Sequence, residues 1–275
     1  MVPASRPLDA LRSGRAESPE FASTRAQGNR LAASAFAREQ LWAGLRAVAL
    51  PDSRFHLRFS EFIPDFSGSD AAIDRLWALP GFDAARHVFV TPDNSLTGLR
   101  QRLLARGVSL VVSSYNMASG FYLLRPGAVP KGHELYGAWP DGLAHFGEPL
   151  SLNALADLGA FDFVATGASA VATSGVRFGR GHGFFDLEWR IFSDMGLVDN
   201  LTPLVTVVHD VQVLDKKLYP SPDDVLVDWI CTPTRSLQVA RETQRPRGLN
   251  WKDITPEQVH AIPALAELRR IIGLA

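Results

Sequence analysis

The chain has 275 residues, 46% of them hydrophobic and 21% charged, with a formal net charge of -1. This composition is typical of globular proteins, and the balanced charge does not favour a nucleic-acid partner. The single cysteine, Cys231, excludes an intrachain disulfide and a cysteine-cluster metal site, and its apolar neighbours predict a buried thiol. No apolar run is long enough to cross a bilayer, and the N-terminus lacks an apolar signal core. We therefore expect a cytoplasmic protein with no membrane partner.

The N-terminal half begins with a segment of low periodicity. Residues 1–31 are rich in Ser, Ala, Arg and Pro, which predicts a mobile arm ahead of a single α/β domain at 32–275. Ser95 and Gly107 are the candidate N-cap and C-cap of one helix. The predicted elements are helices at 32–49, 71–79 and 95–107 and strands at 87–91, 108–114 and 121–126.

The C-terminal half continues the alternation of strands and helices. Residues 127–149 are rich in Gly, Pro and aromatic residues, which predicts a long surface loop. The alternation predicts an α/β protein whose parallel sheet is covered by helices. The predicted elements are helices at 152–159 and 184–196, strands at 161–167 and 225–235, two short strands or one bent strand at 204–215, and a helix pair at 255–273 interrupted by Pro263.

A glycine-rich basic loop, RFGRGHGFFD at 177–186, leads into the helix at 184–196. Its alternating glycines would let the backbone approach a ligand, and a helix N-terminus favours an anion, most often phosphate. Asp186 in the first helical turn is a candidate Mg²⁺ ligand. A flexible turn between strand and helix explains the glycines equally well. The loop matches neither a Walker A sequence nor a dinucleotide fingerprint. The candidate phosphate-binding residues are Arg177, Gly179, Arg180, Gly181, His182 and Gly183.

Three further residues have two interpretations each. His182 is either a phosphate donor or an exposed side chain at a tolerant position. Tyr115 follows a predicted strand, so it either lines a substrate pocket at the carboxyl edge of the sheet or belongs to a simple turn. Asp224, in the sequence PSPDD, would by itself be read as a turn or cap residue.

Two blocks of sequence resemble the 5-formyltetrahydrofolate cyclo-ligase family, also called methenyltetrahydrofolate synthetase. The first is DFVATG followed by GVRFGRGHGFFD, and the second is HDVQVLDKKLYPSPDDVLVDWICTPTR. The segments AREQLW, IPDFSGSDAA, VVHDVQV, FFDLEW and TPTR are similar to a divergent branch, the methenyltetrahydrofolate synthetase domain-containing proteins. The resemblance covers residues 33–270.

The resemblance implies a three-layer, Rossmann-like α/β fold with a mostly parallel sheet covered by helices on both faces. It also implies a cyclo-ligase that uses ATP and Mg²⁺ to convert 5-formyltetrahydrofolate to 5,10-methenyltetrahydrofolate, with phosphoryl activation of the formyl oxygen. The small-molecule partner would be a reduced folate. By this resemblance the site consists of Arg177 and Arg180 for catalysis, Arg38, Gly179, Gly181, His182, Gly183 and Phe184 for ATP, Asp186 and Asp224 for magnesium, and Phe185 and Gln212, with Tyr115, for substrate.

The chain departs from the family pattern at some ATP and folate positions. Ser34 stands where the family has an ATP-binding lysine, and Phe184 and Phe185 replace a tyrosine pair. The folate-contacting glutamate has no clear counterpart, and only Asp70 is nearby. Two alternatives therefore stay open. One is ATP-dependent cyclisation or condensation of a non-folate amide or carboxylate, and the other is a non-enzymatic protein that binds a nucleotide or nucleic acid.

Overall fold

The computed structural model describes residues 35–180, 183–215, 218, 220 and 223–274, and it describes no side chain between 35 and 40. The predicted arm at 1–31 and the predicted contacts of Ser34, Arg38, Gly181 and His182 lie outside this part. The helices are α1 (Ala35–Arg46), α2 (Ser69–Trp77), α3 (Thr97–Ala105), α4 (Glu134–Ala138), α5 (Pro140–Phe146), α6 (Leu152–Asp157), α7 (Phe184–Asp194), α8 (Pro256–Ala261) and α9 (Pro263–Ile271).

An eight-stranded sheet runs through the centre, in the order β11-β10-β8-β5-β1-β2-β3-β4. Strands β10, β8, β5, β1 and β2 are parallel, whereas β11, β3 and β4 pair antiparallel at the two edges. A second, three-stranded sheet has the order β7-β6-β9. The strands are β1 (His87–Val90), β2 (Ser109–Ser113), β3 (Phe121–Leu124), β4 (Glu148–Leu150), β5 (Phe163–Gly167), β6 (Ala170–Ala172), β7 (Arg177–Phe178), β8 (Leu204–Val207), β9 (Val213–Leu214), β10 (Trp229–Cys231) and β11 (Ser236–Gln238).

Successive residues of each strand face opposite sides of the sheet, which separates two apolar cores. Along β1, Phe89 belongs to one core, and Val88 and Val90 belong to the other. The first core is covered by α6, α7 and α9, and the second by α2, α3 and α5. The three-layer α/β fold with a mostly parallel sheet is therefore confirmed.

The predicted loop at 127–149 is wrong, because this segment contains α4, α5 and β4. Pro140 occupies the first turn of α5, where a missing N–H costs nothing. A Cβ at Gly137 would lie 2.5 Å from the side chain of Val129, and one at Gly142 would overlap the carbonyl of Tyr136. The glycines and proline therefore permit close helix packing here.

Ser95 is not the N-cap of the third helix, which corrects the sequence-based prediction. A 3₁₀ turn at Asn94–Leu96 precedes α3, so Ser95 lies inside that turn. Its hydroxyl is buried and makes no hydrogen bond to the described residues. The C-cap of the helix is Arg106 rather than the predicted Gly107, which follows it with a φ of 72°, a left-handed conformation that favours glycine.

Other local predictions are confirmed. Cys231 is fully buried, and burial raises the pKa of its thiol to about 12. The segment at 204–215 forms two short strands, and Pro263 begins the last helix. Within the part of the chain that the structure describes, we find no helix with the length and apolar character needed to span a bilayer.

Candidate functional site

A cleft opens at the carboxyl edge of the parallel strands. Thr91 directly follows β1, Ser114 directly follows β2, and Thr166 lies near the end of β5; all three line the cleft. The space between its walls is about 750 Å³, part of it open to solvent. Ligands of open α/β sheets bind at this edge, so the topology places a candidate site here.

The N-terminus of α7 forms one wall of the cleft. Gly183 precedes the helix with a φ of 69°, a left-handed conformation that glycine adopts without strain. The chain can therefore turn sharply from the small sheet into the helix. As a result the first helical turns bring Phe184, Phe185, Asp186 and Glu188 to the cleft.

Arg180 is held by three partners on the opposite wall, and we call Glu61, Tyr115, Asn116 and Arg180 the Arg180 cluster. Nη1 of Arg180 donates to the carbonyl of Glu61 at 2.7 Å and to the hydroxyl of Tyr115 at 3.1 Å. Nη2 donates to Oδ1 of Asn116 at 2.6 Å, and the guanidinium lies 5.0 Å from the Tyr115 ring centroid. Asn116 has a φ of 54°, a left-handed conformation that Asn tolerates better than most residues. The guanidinium is thus fixed in the cleft wall.

Arg177 is almost fully buried and contacts groups of the protein itself. Its Nη1 donates to the carbonyl of Gly167 at 3.2 Å, and its Nη2 lies 4.0 Å from Oδ2 of Asp186. The guanidinium is also 4.5 Å from the ring centroid of Phe185. A Cβ at Gly179 would lie 3.4 Å from Nη1 of Arg177, so the backbone at Gly179 passes close to this guanidinium.

Asp186 faces the cleft beside a second carboxylate. Burial raises the pKa of Asp186, the nearby Arg177 lowers it, and the charge of Asp224 raises it again. Asp224 is also buried but is not among the cleft-lining residues. No cluster of three His, Cys, Asp or Glu side chains suited to a metal occurs among the described residues. Mg²⁺ commonly takes one or two protein carboxylates plus phosphate and water oxygens, so Asp186 fits such an ion.

Glu188 is a cleft residue that the sequence analysis missed. It is only 3% exposed, and burial raises the pKa of its carboxyl to about 8. The carboxyls of Asp93 and Asp186 also raise this pKa, whereas the Ser113 hydroxyl and Arg177 lower it. The available signal was positional: Glu188 lies between Phe185 and Phe192 at helical spacing, so a charged residue interrupts an apolar stripe.

Arg54 and Asp52, at the mouth of the cleft, were also missed. The Arg54 guanidinium lies 5.2 Å from the ring centroid of Phe55 and 6.0 Å from that of Tyr115. Asp52 accepts hydrogen bonds from Nη2 of Arg54 at 3.1 Å and from the Asn94 amide at 2.8 Å. Besides Arg177 and Arg180, the cleft therefore has a third cation, Arg54, which is held by its own carboxylate.

The buried side chain of Arg100 holds the loop after β1 in place. Arg100 donates through Nη1 to the carbonyls of Thr91 at 2.7 Å and Asp93 at 3.0 Å, and through Nε to that of Ala138 at 2.7 Å. The carboxyl of Asp93 accepts from the backbone N–H of Gly167 at 2.9 Å. Buried carbonyls need such donors, so Arg100 sets the position of Asp93 at the cleft.

Comparison with known proteins places the chain in a family. Residues 30–233 match the model of the 5-formyltetrahydrofolate cyclo-ligase family. The chain belongs to this family. It is 32% identical over 235 residues to the human methenyltetrahydrofolate synthase domain-containing protein, and 32% identical to its bovine counterpart. Each match covers 84% of this chain and 60% of the relative, so the chain spans about three-fifths of their length.

Solved structures similar to the chain include two methenyltetrahydrofolate synthetases. The NMR structure of the Aquifex aeolicus 5,10-methenyltetrahydrofolate synthetase has 17% identity and a TM-score of 0.45, covering 78% of this chain and 99% of that one. The enzyme from Mycoplasma pneumoniae has 11% identity and a TM-score of 0.42, covering 71% and 96%.

Most of the predicted site residues of this cyclo-ligase-family chain come together in the cleft. Asp224 and Gln212 are not among its lining residues. The Gln212 amide donates to the carbonyl of Ala168 at 2.7 Å and accepts from the backbone N–H of His209 at 2.7 Å. Gln212 thus fixes the turn after β5, and its contact with substrate stays a prediction. The predicted residues that line the cleft are Tyr115, Arg177, Gly179, Arg180, Gly183, Phe184, Phe185 and Asp186.

Proposed function

We propose that this protein is an ATP- and Mg²⁺-dependent cyclo-ligase that converts 5-formyltetrahydrofolate to 5,10-methenyltetrahydrofolate. The observation that carries the proposal is the convergence of Arg177, Arg180 and Asp186 at one cleft, beside the N-terminus of α7. Cations and a helix N-terminus suit a transferring phosphoryl group, and family membership supports this chemistry.

In the proposed reaction the formyl oxygen takes up a phosphoryl group from ATP. ADP is the leaving group of this transfer. The neighbouring amine nitrogen then attacks the activated carbon and loses its proton, inorganic phosphate departs with the former formyl oxygen, and a five-membered ring closes. The enzyme's task is to orient these groups and to offset negative charge, because phosphoryl transfer depends chiefly on positioning and electrostatics. Asp186 would hold Mg²⁺, which would supply charge neutralisation for the phosphates.

Arg180 is the residue best placed to offset developing charge. Its guanidinium is oriented by Glu61, Tyr115 and Asn116 before any ligand arrives, so little reorganisation accompanies the reaction. Arg177 is more deeply buried and paired with Asp186. We therefore assign to Arg180 the contact with the transferring phosphoryl group. We assign to Arg177 the partial neutralisation of the nearby carboxyls of Asp186 and Glu188.

The apolar walls of the cleft suit a flat ring. Phe62, Ile63, Phe184 and Phe185 line it together with the Tyr115 ring. Such walls bind an aromatic heterocycle by burying its faces, and they keep water from the activated formyl group. The combination of apolar walls and a few fixed polar groups supports a small organic substrate.

Mixing the purified protein with MgATP and 5-formyltetrahydrofolate tests the proposal. We expect the methenyl chromophore to appear together with an equal amount of inorganic phosphate, and neither to form without ATP. Arg180→Gln should slow both by about 100-fold, whereas Arg102→Gln, a change at a surface ion pair, should leave the rate unchanged.

Other outcomes would contradict the proposal. Phosphate release without the methenyl product would overturn the folate assignment and favour an ATP-dependent reaction of another amide or carboxylate. If the wild-type protein forms neither product and does not bind MgATP in calorimetric titration, the ligase assignment fails as a whole.

A further inference from the structure

Glu188 is a buried carboxyl that the proposed reaction does not use. It lines the cleft although its exposed fraction is 3%. The buried hydroxyl of Ser113 lies beside it. Ligand pockets combine apolar walls with a few fixed polar groups, so a carboxyl that lines this cleft is placed to orient a ligand.

The charged groups around Glu188 limit what this ligand can be. Asp93 approaches it from the loop after β1, Asp186 from its own helix, and Arg177 from β7. Arg177 already lies beside Asp186. An anionic ligand group at this position would meet three carboxyls and one cation that has its own countercharge, so the arrangement favours an uncharged group.

The walls next to Glu188 define the shape of the ligand. Phe184 and Phe185 lie one turn before it on α7, and the Tyr115 ring lies across the cleft. Aromatic side chains of this kind bury the faces of a planar ring. A ring seated there presents its edge to the carboxyl, and an N–H group on that edge would satisfy it, because carboxyl oxygens accept in either protonation state.

We propose that Glu188 determines the specificity of the cleft by accepting a hydrogen bond from a ring N–H group of an uncharged planar heterocycle. The inference rests on the proposed function, since the pterin ring of a reduced folate carries such N–H groups. Glu188 thereby becomes the residue that distinguishes heterocycles with an N–H edge from rings of the same shape without one.

Binding of two probe rings tests the role of Glu188. Calorimetric titration would compare pterin with a fully N-methylated pteridinedione, which has the same ring system but no N–H group. We expect the wild type to prefer pterin by roughly 10- to 100-fold, as for one hydrogen bond to a buried polar group. Glu188→Met should remove the preference, and Glu188→Gln, which keeps an acceptor oxygen, should retain most of it.

Glu148→Gln is the matched control, because Glu148 pairs with Arg125 on an exposed edge strand. It should keep the full preference. The proposal fails if the wild type binds neither ring, if it binds both equally, or if Glu188→Met retains the preference. If Glu188→Met does not fold, judged by its thermal melting, the wild type and the Glu148→Gln control still test the proposal. It fails if the wild type binds the two rings equally or if Glu148→Gln loses the preference for pterin.

The role of Glu188 and the proposed reaction can be supported or contradicted independently of each other. Pterin binding that depends on Glu188, without turnover of 5-formyltetrahydrofolate, would support the inference and overturn the proposed reaction. Turnover in the wild type with an unchanged KM for 5-formyltetrahydrofolate in Glu188→Met would support the reaction and overturn the inference.

Discussion

Arg177 and Asp186 lie 4.0 Å apart, and both side chains are less than 5% exposed. The sequence assigned them to different ligands, phosphate and magnesium, but in the structure each is the other's nearest opposite charge. A buried pair of this kind responds asymmetrically to mutation, since removing one member leaves an uncompensated charge in a region of low dielectric.

Arg177→Met tests this pairing through stability. The change leaves Asp186, Asp224 and Glu188 near one another without their shared cation, so we expect unfolding free energy to fall by about 3–5 kcal/mol. Adding Asp186→Asn removes one of these carboxyls, and the double variant should be more stable than Arg177→Met alone. Urea unfolding of the wild type, both single variants and the double variant gives the coupling. Additive effects would contradict the pairing.

Arg180→Lys separates charge from geometry in the Arg180 cluster. Lysine keeps the positive charge but cannot reach Glu61, Tyr115 and Asn116 together with a planar fork. We expect kcat/KM for methenyl formation to fall by about 100-fold. Initial rates measure this, with Arg102→Lys at the surface as the control. A variant as active as the wild type would show that fixed orientation is unimportant.

Arg100→Met tests whether Arg100 stabilises the loop after β1 at the cleft. The buried carbonyls of Thr91 and Ala138 and the half-buried carbonyl of Asp93 would lose their donor. Each unsatisfied buried group costs about 1–3 kcal/mol, so we expect a total loss of at least about 2 kcal/mol in chemical unfolding. The exposed Arg102→Met should change stability by less than about 0.5 kcal/mol. Equal stability of the two variants would refute the supporting role of Arg100.

Asp52 should contribute to the acid sensitivity of the fold. Burial alone would raise its pKa, but hydrogen bonds from Arg54 and Asn94 outweigh burial and lower the pKa to about 2 from 3.8. Because the folded-state pKa is lowered, this stabilisation is complete above the unfolded pKa and is lost as pH falls from about 4 to about 2. We expect Asp52→Asn to be less stable than the wild type by roughly 1–2 kcal/mol at pH 6, with the difference vanishing near pH 2. A difference that stays constant with pH would contradict this assignment.

Periodicity in the sequence was sufficient to predict most of the central sheet and the start of α7. The strands β1, β2 and β5 are continuous apolar runs, as buried parallel strands require, and the glycine loop marked the helix behind it. The segment at 127–149 was misread because glycine and proline also serve close packing, which depends on neighbours such as Val129. Tyr115, for which the sequence left both a pocket and a simple turn open, lies in a 3₁₀ turn and also lines the cleft.

The details of the cleft could not be read from the sequence in the same way. Arg54, Asp93 and Glu188 have no local motif, and their importance comes from contacts between distant segments. Asp93, for example, accepts from a backbone N–H 74 residues away. Gln212 differs from these residues because it matches a family motif in the sequence. In the structure its side chain is part of the capping box of the 3₁₀ turn at Asp210–Gln212. Local sequence patterns therefore predicted the strands and helices. The partners of the charged side chains became known only from the folded structure.

The Arg180 cluster also has a consequence for the order in which the fold is completed. Arg180 is 119 residues from Glu61 and 65 from Tyr115, and Tyr115 is 54 residues from Glu61. Three remote parts of the chain must therefore meet before this wall exists, and loop closure on that scale is slow. In hydrogen-exchange experiments during refolding, amides around these residues should become protected together and late. The cleft would thus become competent for ligands only once the rest of the molecule has been assembled.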